Sequence, residues 1–413
     1  MLMTGEPLPI YGERSQRVGM LTLALSERGH DVTWWSTTFD HQSKSYLFNS
    51  DTEIVMGRNL RVQLLHTRIR YTRNISLARM ANHYLIGRSF LRAAERCEAP
   101  DVIISSFPTI DLSYCAVEFA KRRGIPVVID IRDMWPDIFL RVCGSFTRPV
   151  VKKLIRPLEK KTGYTFESAT SLVAVSRQYL NWAVGYASRN VTSQDRVIPL
   201  GYESLTSSAI DEKKKSSYLS STGISNCKIR IWFAGTFGRT YDLQTVIEGA
   251  RILDRQRNDV QIVLSGDGEN RKHLEQLAAG ISNVIFTGWV DAERLRYLRD
   301  GADVGLMAYA AGAPQGMPNK VYEYLSCGIP MLSCLKGESE DFIRRHRVGL
   351  MYQAGSPTGF ARMLSQLVDD RESRDEMGLR ARRLFEAEYS SEIVYGRYAD
   401  YIEGFERWKF HAR

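Results

Sequence analysis

The chain has 413 residues, of which 44% are hydrophobic and 25% are charged, and its formal net charge is +9. This length favours two domains over a single hydrophobic core, and the even mixture of apolar and charged residues excludes a long disordered region. The basic excess is concentrated between Arg61 and Lys161. It favours anionic partners such as nucleotides or acidic lipids.

Several classes of protein are disfavoured by what the sequence lacks. No run of eighteen apolar residues occurs, and residues 1–14 lack the basic and apolar stretches of a signal peptide, so we expect a cytoplasmic protein. The six cysteines have no paired metal-type spacing and the seven histidines form no obvious cluster, so we expect no metal and no cofactor. No helix-turn-helix, zinc finger or RNA-binding aromatic pair is present, which disfavours nucleic acid as a partner.

Strand-like apolar runs alternate with amphipathic stretches of helical length along the chain. This alternation predicts an α/β fold with parallel sheets covered by helices, which bind ligands at the carboxyl ends of their strands. The predicted strands are Val32 to Trp35, Val102 to Ser105, Val127 to Ile131, Leu172 to Val175, Val197 to Leu200, Arg230 to Ala234, Gln261 to Ser265, Val284 to Thr287 and Val304 to Met307. Before them, only Met1 to Thr4 precede a Gly-Glu-Pro turn, so the first strand is expected to be very short or clipped by the start of the chain.

A change in composition between Val191 and Gly223 marks the predicted linker. We therefore expect a first domain over residues 1–195, a second over residues 196–389 and a final helical segment over residues 390–413. No internal repeat of 20 to 50 residues is visible.

In the first domain, Asp133 follows the strand Val127 to Ile131, at the position where catalytic groups lie in such sheets. We predict that it orients hydroxyl groups of a ligand, and capping of a helix is the alternative.

The segment from Arg148 to Lys161 is predicted to be a basic helix that Pro157 kinks or splits. Four of its six basic residues fall within about a third of the helical circumference at 3.6 residues per turn. They are Lys152, Lys153, Arg156 and Lys160, and the apolar residues that point elsewhere are Val151, Leu154, Ile155 and Leu158. Such a helix can lie on an anionic membrane surface, and an ordinary solvated helix with an apolar core face is the alternative.

In the second domain, glycines follow three predicted strands. Gly235 and Gly238, with the neighbouring cation Arg239, and Gly266 lie in turns where backbone amides can approach a phosphate. Plain turns are the alternative interpretation, and for Gly266 a tight turn is favoured.

Residues 312–330 read GAPQGMPNKVYEYLSCGIP and predict a short helix that begins just after Gly316, with Pro318 at its first position. The amides from Gly316 to Lys320, across Met317 and Asn319, would face a diphosphate. Lys320 and Glu323 share one helix face, so the cation could neutralise phosphate while the carboxylate accepts from two ribose hydroxyls. A capped helix with a surface ion pair is the alternative.

This segment resembles the second-domain signature of the family 4 retaining glycosyltransferases, and the resemblance extends over nearly the whole chain. It implies the GT-B architecture: two facing Rossmann-like domains with a C-terminal helix that returns toward the first, the donor bound mainly by the second domain and the acceptor by the first. Glu323 is then the ribose ligand, Thr287 and Gly288 belong to the base-binding loop, and Arg239 and Lys320 contact the diphosphate. Gly12, Arg14 and Arg17 belong to an opening loop over the diphosphate, although the two arginines are equally consistent with surface positions.

The sequence departs from that family at Gln315, where a carboxylate is usual. Because an amide has no charge, this substitution argues against a nucleophile there and favours a mechanism in which the leaving diphosphate deprotonates the acceptor. The predicted catalytic residues are Asp133, Gln315, Arg239 and Lys320.

The predicted function is metal-independent transfer of a sugar, an N-acetylated hexose or a deoxyhexose, from a nucleoside-diphosphate donor, most simply UDP-linked. The acceptor is expected to be a saccharide on a polyprenyl diphosphate, at the inner face of the cytoplasmic membrane, in bacterial capsule, O-antigen or exopolysaccharide synthesis. Two alternatives remain open: a nucleotide-sugar 2-epimerase of the same architecture, and a non-catalytic partner that binds nucleotide sugar or membrane.

Overall fold

The computed structural model describes residues 1–8, 16–141, 143–144, 146–203 and 210–405. The chain divides into two compact units, Met1–Gly201 with Ser391–Arg413, and Tyr202–Ser390. Each unit is built around its own parallel sheet, as the alternation of strands and helices predicted.

The first unit is an α/β unit in which strands and helices follow each other along the chain. Its strands are β1 (Val32–Thr37), β2 (Phe39–Asp40), β3 (Ser45–Tyr46), β4 (Thr52–Val55), β5 (Leu60–Leu65), β6 (Ile103–Phe107), β7 (Val127–Ile131), β8 (Ser171–Ala174) and β9 (Arg196–Val197). Its helices in this part of the chain are α1 (Arg17–Glu27), α2 (Leu77–Ala94), α3 (Ile110–Arg123), α4 (Ile138–Arg141), α5 (Arg148–Glu167) and α6 (Arg177–Tyr186).

The strands of the first unit form the orders β4-β5-β1, β6-β7-β8-β9 and β2-β3, and the described pairs are parallel except β4 with β5 and β2 with β3. Leu2 forms bridges to both Trp35 of β1 and Ser105 of β6, so the start of the chain lies between the two groups of strands. The expectation of a very short first strand is met by this single bridging residue. Every residue of β6, β7 and β8 is buried, as expected for a parallel sheet covered on both faces.

The division between the units falls slightly after the predicted boundary at 195/196. The reason is β9, in which Arg196 and Val197 pair with Val173 and Ala174 of β8 and so attach the following residues to the first unit. The strand predicted over Val197 to Leu200 is correspondingly shorter and begins one residue earlier.

Helix α5 is continuous through Pro157, so the predicted split does not occur. The proline removes one helical hydrogen bond, to the carbonyl of Lys153, and both residues lie on the exposed side, where water can replace the missing partner.

The second unit contains one parallel sheet with the order β12-β11-β10-β13-β14-β15. The strands are β10 (Ile229–Ala234), β11 (Val260–Ser265), β12 (Val284–Gly288), β13 (Val304–Met307), β14 (Met331–Ser333) and β15 (Gly349–Met351). The helices are α7 (Glu212–Ser221), α8 (Leu243–Asp254), α9 (Arg271–Leu277), α10 (Ala292–Asp300), α11 (Asn319–Cys327), α12 (Glu338–His346), α13 (Pro357–Asp369) and α14 (Arg371–Leu384), followed by one turn of π-helix (Phe385–Tyr389). From β10 the chain builds the sheet first toward β12 and then, from β13, in the opposite direction, and ligands of open α/β sheets bind at such a reversal.

Helix α7 lies inside the stretch that the sequence indicated as a linker. The carboxylate of Asp211 accepts hydrogen bonds from the amides of Lys213 and Lys214 and caps the helix, and Leu219 is buried in the second unit. Leu219 is the one residue of α7 that is buried, and the polar composition of the rest of the helix is why the segment resembled a linker.

After the second unit the chain returns to the first through α15 (Ser391–Glu403), which packs against α1. Val394, Tyr398 and Ile402 are buried in this contact, and Arg28 donates to Asp400 at 2.7 Å. Residues 406–413, the end of the predicted helical segment, lie outside the described residues. Among the helices that are described, none is both long and apolar enough to cross a membrane.

Candidate functional site

Three glycines lie side by side at the carboxyl edge of the second sheet, two directly after β10 and β11 and one as the last residue of β12. The amide of Gly266 donates to the carbonyl of Gly288 at 2.8 Å, and a Cβ atom on Gly266 would lie 1.8 Å from the carbonyl oxygen of Gly235. Gly266 has φ +142 and Gly288 has φ +70, conformations that side chains disfavour. Three predicted residues, Gly235, Gly266 and Gly288, therefore adjoin through their backbones and form what we call the glycine surface.

The turn between β10 and α8 holds the predicted Gly238 and Arg239. The Arg239 side chain is 90% exposed, and its Nε lies 3.5 Å from a carboxylate oxygen of Glu269. Asp242, later in the same turn, caps α8 by accepting from the amide of Thr245 at 3.1 Å. The exposed cation of this turn is thus Arg239, held only by a surface ion pair, and the carboxylate has a structural role.

The loop before α11 is anchored from α12. The Ser339 hydroxyl donates to the carbonyl of the buried Gly316 and lies 3.9 Å from the sulfur of Met317. Pro318 occupies the N-cap position without a side-chain cap, and the helix begins at Asn319. The prediction of Pro318 as the first helical residue was wrong by one position, because its ψ of 159 is extended rather than helical.

Gln315, in the same loop, has an unusual side chain. Its Oε1 atom is buried and has no hydrogen-bond partner among the described residues. A buried amide oxygen without a donor costs roughly 1 to 3 kcal/mol, so a ligand hydroxyl or amide at this position would be stabilised.

Lys320 is buried directly beside the glycine surface. Its Nζ donates to the Ala234 carbonyl, lies 4.5 Å from the centroid of the Phe233 ring and would lie 3.4 Å from a Cβ on Gly235. Burial lowers the pKa of the ammonium from 10.5 to about 8, against the opposing effect of Glu323. The structure brings Lys320 and Gly235 together, with the cation behind the turn rather than at the surface.

Glu323 lies one helical turn further along α11, with its side chain 13% exposed. Its nearest cation is Arg299 of α10 at 3.9 Å, beyond ordinary hydrogen-bond distance, so the carboxylate oxygens can accept from a ligand. Sequence reasoning missed Arg299, since nothing in the local pattern separates it from the other arginines of α10. Thr287, the remaining predicted residue, bonds from its hydroxyl to the Gly288 carbonyl at 3.2 Å.

In the first unit, Asp133 follows the end of β7 and accepts a hydrogen bond from the amide of Met134 at 2.8 Å. The next helix begins at Ile138, so Asp133 is not its cap. The Asp133 carboxylate attracts the nearby Arg79 guanidinium. Gly12 and Arg14 lie outside the described residues.

Arg17 is neither a surface residue nor available to a diphosphate. Its side chain is 1% exposed and pairs with Asp130 at 2.8 Å, and it also donates to the Pro199 carbonyl at 2.7 Å. Next to this pair, the carboxylate of Glu6 accepts from the amides of Val18 and Gly19 at the start of α1. Glu6 thus neutralises this helix N-terminus, a role that its position before a turn did not reveal.

The predicted membrane residues lie on the outside of α5. Lys152, Lys153, Arg156 and Lys160 are all exposed, and none forms an ion pair among the described residues. Ile155 is buried and Val151 and Leu158 pack on the core, whereas Leu154 is 70% exposed. Val150 is 62% exposed and Phe146 is 97% exposed. Together with Leu154 they form an exposed apolar stripe beside the basic residues, with four positions from each residue to the next.

Two family profiles match successive parts of the chain: "Glycosyl transferase 4-like domain" over residues 14–201 and "Glycosyl transferases group 1" over residues 228–370. The chain belongs to the family 4 glycosyltransferases with the GT-B fold.

Individual relatives of this glycosyltransferase family are distant. The chain is 32% identical over 167 residues to the lipopolysaccharide core biosynthesis glycosyltransferase LpsE of Rhizobium meliloti, a match that covers 40% of this chain and 46% of LpsE. The chain therefore spans about half the length of the curated relatives it matches.

Solved structures of low sequence identity have the same fold. Sucrose-phosphate synthase from Thermosynechococcus elongatus superposes with a TM-score of 0.69 at 16% identity, covering 96% of this chain and 93% of the synthase. HepE from Anabaena in complex with UDP-glucose gives a TM-score of 0.65 at 14% identity, covering 98% and 99%.

Proposed function

We propose that this member of the family is a retaining glycosyltransferase that takes a sugar, an N-acetylated hexose or a deoxyhexose, from a UDP-linked donor. The acceptor is a saccharide on a polyprenyl diphosphate, and the product belongs to a bacterial surface polysaccharide. The observation that carries the proposal is the edge of the second sheet, where a glycine surface, a buried lysine and a nearly buried carboxylate lie together.

The diphosphate fits the glycine surface. The turns at Gly235 and Gly266 contribute no side chain of their own at this edge, and the α11 N-terminus with its uncapped amides favours an anion. The Lys320 ammonium adds positive charge from behind the turn, and Arg239 can leave its surface ion pair to contact the phosphates from the solvent side.

The nucleoside and the sugar fit the two remaining polar groups. Glu323 is a carboxylate acceptor suited to the two hydroxyls of a ribose, and Arg299 lies 3.9 Å behind it. The unpartnered oxygen of Gln315 is suited to a hydroxyl of the transferred sugar. The UDP assignment is supported by the UDP-glucose complex of the structurally similar HepE.

The proposed mechanism needs no protein nucleophile and no metal. Gln315 cannot form a glycosyl ester, so the leaving diphosphate accepts the proton of the acceptor hydroxyl while Lys320 and Arg239 stabilise its developing charge. Asp133, at the end of β7 in the first unit, orients the acceptor hydroxyl.

The acceptor lipid explains the surface of α5, which we assign to the inner face of the cytoplasmic membrane. Four basic residues give about 1 kcal/mol each near an anionic leaflet, and Phe146, Val150 and Leu154 add apolar area that can enter the headgroup region. The combination predicts binding that salt weakens but does not abolish.

Donor binding is tested by thermal shift with UDP-, GDP- and ADP-sugars in the presence of EDTA. Selective stabilisation by a UDP-sugar supports the donor assignment, whereas stabilisation by a GDP-sugar alone or dependence on a divalent metal contradicts it.

Membrane binding is tested by sedimentation with vesicles that contain phosphatidylglycerol. Substitution of Lys152, Lys153, Arg156 and Lys160 by glutamine should weaken vesicle binding strongly. A control variant that removes the same charge from the second unit should stay bound, with glutamine at Lys213, Lys214, Lys272 and Arg371. Equal binding of both variants would place the membrane surface elsewhere.

A further inference from the structure

A cluster of cationic and aromatic residues lies at the carboxyl edge of the first sheet, outside the predicted donor and membrane residues. It is formed by the hairpin after β1, by the segment between β5 and α2, by the first turns of α2 and by the residues after β7. These segments meet because the carboxyl ends of parallel strands lie at one edge of a sheet, where such folds bind ligands.

Two cations of this cluster share the same neighbours. Lys44 Nζ lies 5.3 Å and Arg79 Cζ 5.6 Å from the centroid of the Tyr71 ring. Lys44 also donates to the side-chain oxygen of Asn74 at 2.8 Å, and Arg79 donates to the main-chain oxygen of Asn74 at 2.7 Å. One ring and one asparagine therefore hold two positive charges near each other.

The two charges are not neutralised by an ion pair among the described residues. Arg79 repels the Lys44 ammonium more strongly than Asp40 attracts it. The Asp40 carboxylate accepts hydrogen bonds from the amides of Gln42 and Ser43. Asp133 attracts Arg79 as a nearby charge. Like charges at such proximity repel each other, and a ligand of opposite charge bound beside both would relieve this repulsion.

The surroundings are those of a preformed binding surface. Arg79 also lies over the Trp135 ring at 4.7 Å, and Tyr71 and Trp135 are buried. Lys44 is held with φ +57, a conformation that costs about 1 kcal/mol or more for a residue with a side chain. Lys44 and Arg79 themselves are only partly buried, so a ligand can reach both.

We propose that Lys44 and Arg79, above Tyr71, form a subsite for an anionic group, a phosphate or a carboxylate, of the acceptor substrate. The identification of the bound molecule as the acceptor rests on the proposed glycosyl transfer, whereas the binding of an anion at this subsite does not. Asp133 adjoins Arg79, so the anion would be held beside the group that orients the acceptor hydroxyl.

His41 supplies a local probe of this subsite. Its Nδ1 lies 2.7 Å from the Tyr71 hydroxyl and 3.3 Å from Lys44 Nζ, and since the ammonium can only donate, Nδ1 accepts and the ring is neutral. Burial, Arg79 and Lys44 lower the pKa of His41 to about 4, against the attraction of Asp40, and the neighbouring His83 also carries a lowered pKa. A bound anion should raise the pKa of His41.

The experiment is NMR of the histidine-labelled full chain, with the His41 signal assigned by His41→Gln. Methyl phosphate and glucuronate are each titrated in saturating UDP, which occupies the phosphate site of the second unit. We expect one of them to shift the His41 signal and raise its pKa. Response to methyl phosphate alone identifies a phosphate group, and response to glucuronate identifies an acidic sugar.

Lys44→Gln and Arg79→Gln should each weaken that binding at least ten-fold. Lys121→Gln is the matched control, because Lys121 also lies over a tyrosine ring, Tyr164 at 5.6 Å, on another part of the unit. If Arg79→Gln fails to fold, Lys44→Gln, a partly exposed position, decides the outcome. An unchanged His41 signal with both anions, or equal binding by the Lys44 and Lys121 variants, overturns the subsite even if glycosyl transfer is established. Binding of an anion by a protein that transfers no sugar overturns only the proposed function.

Discussion

A Cβ atom on Gly266 would lie 1.8 Å from the carbonyl oxygen of Gly235, so the turns after β10 and β11 touch through their backbones. No side chain can enter this contact without moving one turn. Because Gly235 also adjoins Lys320, the contact fixes the glycine surface to which we assign the diphosphate.

Gly266→Ala should therefore destabilise the second unit and weaken UDP binding. The added methyl must displace the Gly235 turn, and the φ of +142 is unfavourable for alanine, which together cost at least about 2 kcal/mol. Thermal unfolding and calorimetric titration with UDP measure both effects. Gly238→Ala is the control for stability, because its nearest neighbour would lie 3.9 Å away. Equal melting temperatures for the two variants would show that the turns are not held in contact.

Glu323→Ala should weaken UDP binding while leaving the fold intact. The loss of a charged hydrogen-bond acceptor costs roughly 1.5 to 3 kcal/mol, which is about ten-fold to more than a hundred-fold in affinity. Titration calorimetry measures the change, and Glu248→Ala, at a glutamate of α8 bonded to Gln244, is the control. Unchanged affinity in the Glu323 variant would remove this carboxylate from the donor site.

Lys320 should make the stability of the second unit depend on pH. Its pKa is about 8 in the folded protein and close to 10.5 when exposed, so between these values the unfolded chain binds more protons. The contribution of Lys320 to the free energy of unfolding is therefore most favourable above about pH 10.5 and is lost as the pH falls through 8. The difference in urea midpoint between wild type and Lys320→Met, measured at both ends of this window, should reveal it. Lys214→Met, at an exposed lysine, should show no such difference.

The same lysine should couple UDP binding to proton uptake. A diphosphate near the ammonium favours its charged form, so at pH 9 binding should take up a proton. Calorimetry in two buffers of different ionisation enthalpy detects this uptake, which Lys320→Met should abolish. Identical binding enthalpies in both buffers would separate Lys320 from the diphosphate.

Arg17 and Asp130 should contribute to stability and not to catalysis. Arg17→Met leaves a buried carboxylate unpaired, at a cost of about 3 to 5 kcal/mol, and the double variant with Asp130→Leu should recover much of it. Denaturant unfolding of the three variants measures this non-additivity. A stable Arg17→Met variant with impaired UDP binding would return Arg17 to the donor site.

The sequence was informative where apolar runs are bounded by polar residues. Strands Val127–Ile131 and Val304–Met307 have the predicted bounds, because buried parallel strands are continuously apolar. Helix α7 was not recognised, since it contributes only Leu219 to a core and its polar residues are typical of a linker.

The candidate site was predictable to the extent that its residues are consecutive. Gly316 to Glu323 lie on α11 and in the loop just before it. Arg299 and Glu6 instead contact partners elsewhere in the sequence, so they leave no local signal. Arg17 was interpreted from its place in a motif, and only the fold shows that Asp130 occupies its guanidinium. Lys44 and Arg79 were hidden in the same way, because Tyr71 and Asn74 join them only in three dimensions.

Acceptor-dependent release of UDP is the most direct test of glycosyl transfer. UDP-sugars are incubated with EDTA, with and without polyprenyl-diphosphate-linked saccharides in vesicles, and UDP release and the anomeric configuration of the product are measured. The account predicts release only with an acceptor and a product that keeps the configuration of the donor. Conversion of the nucleotide sugar without an acceptor, or inversion of the anomeric centre, would contradict it.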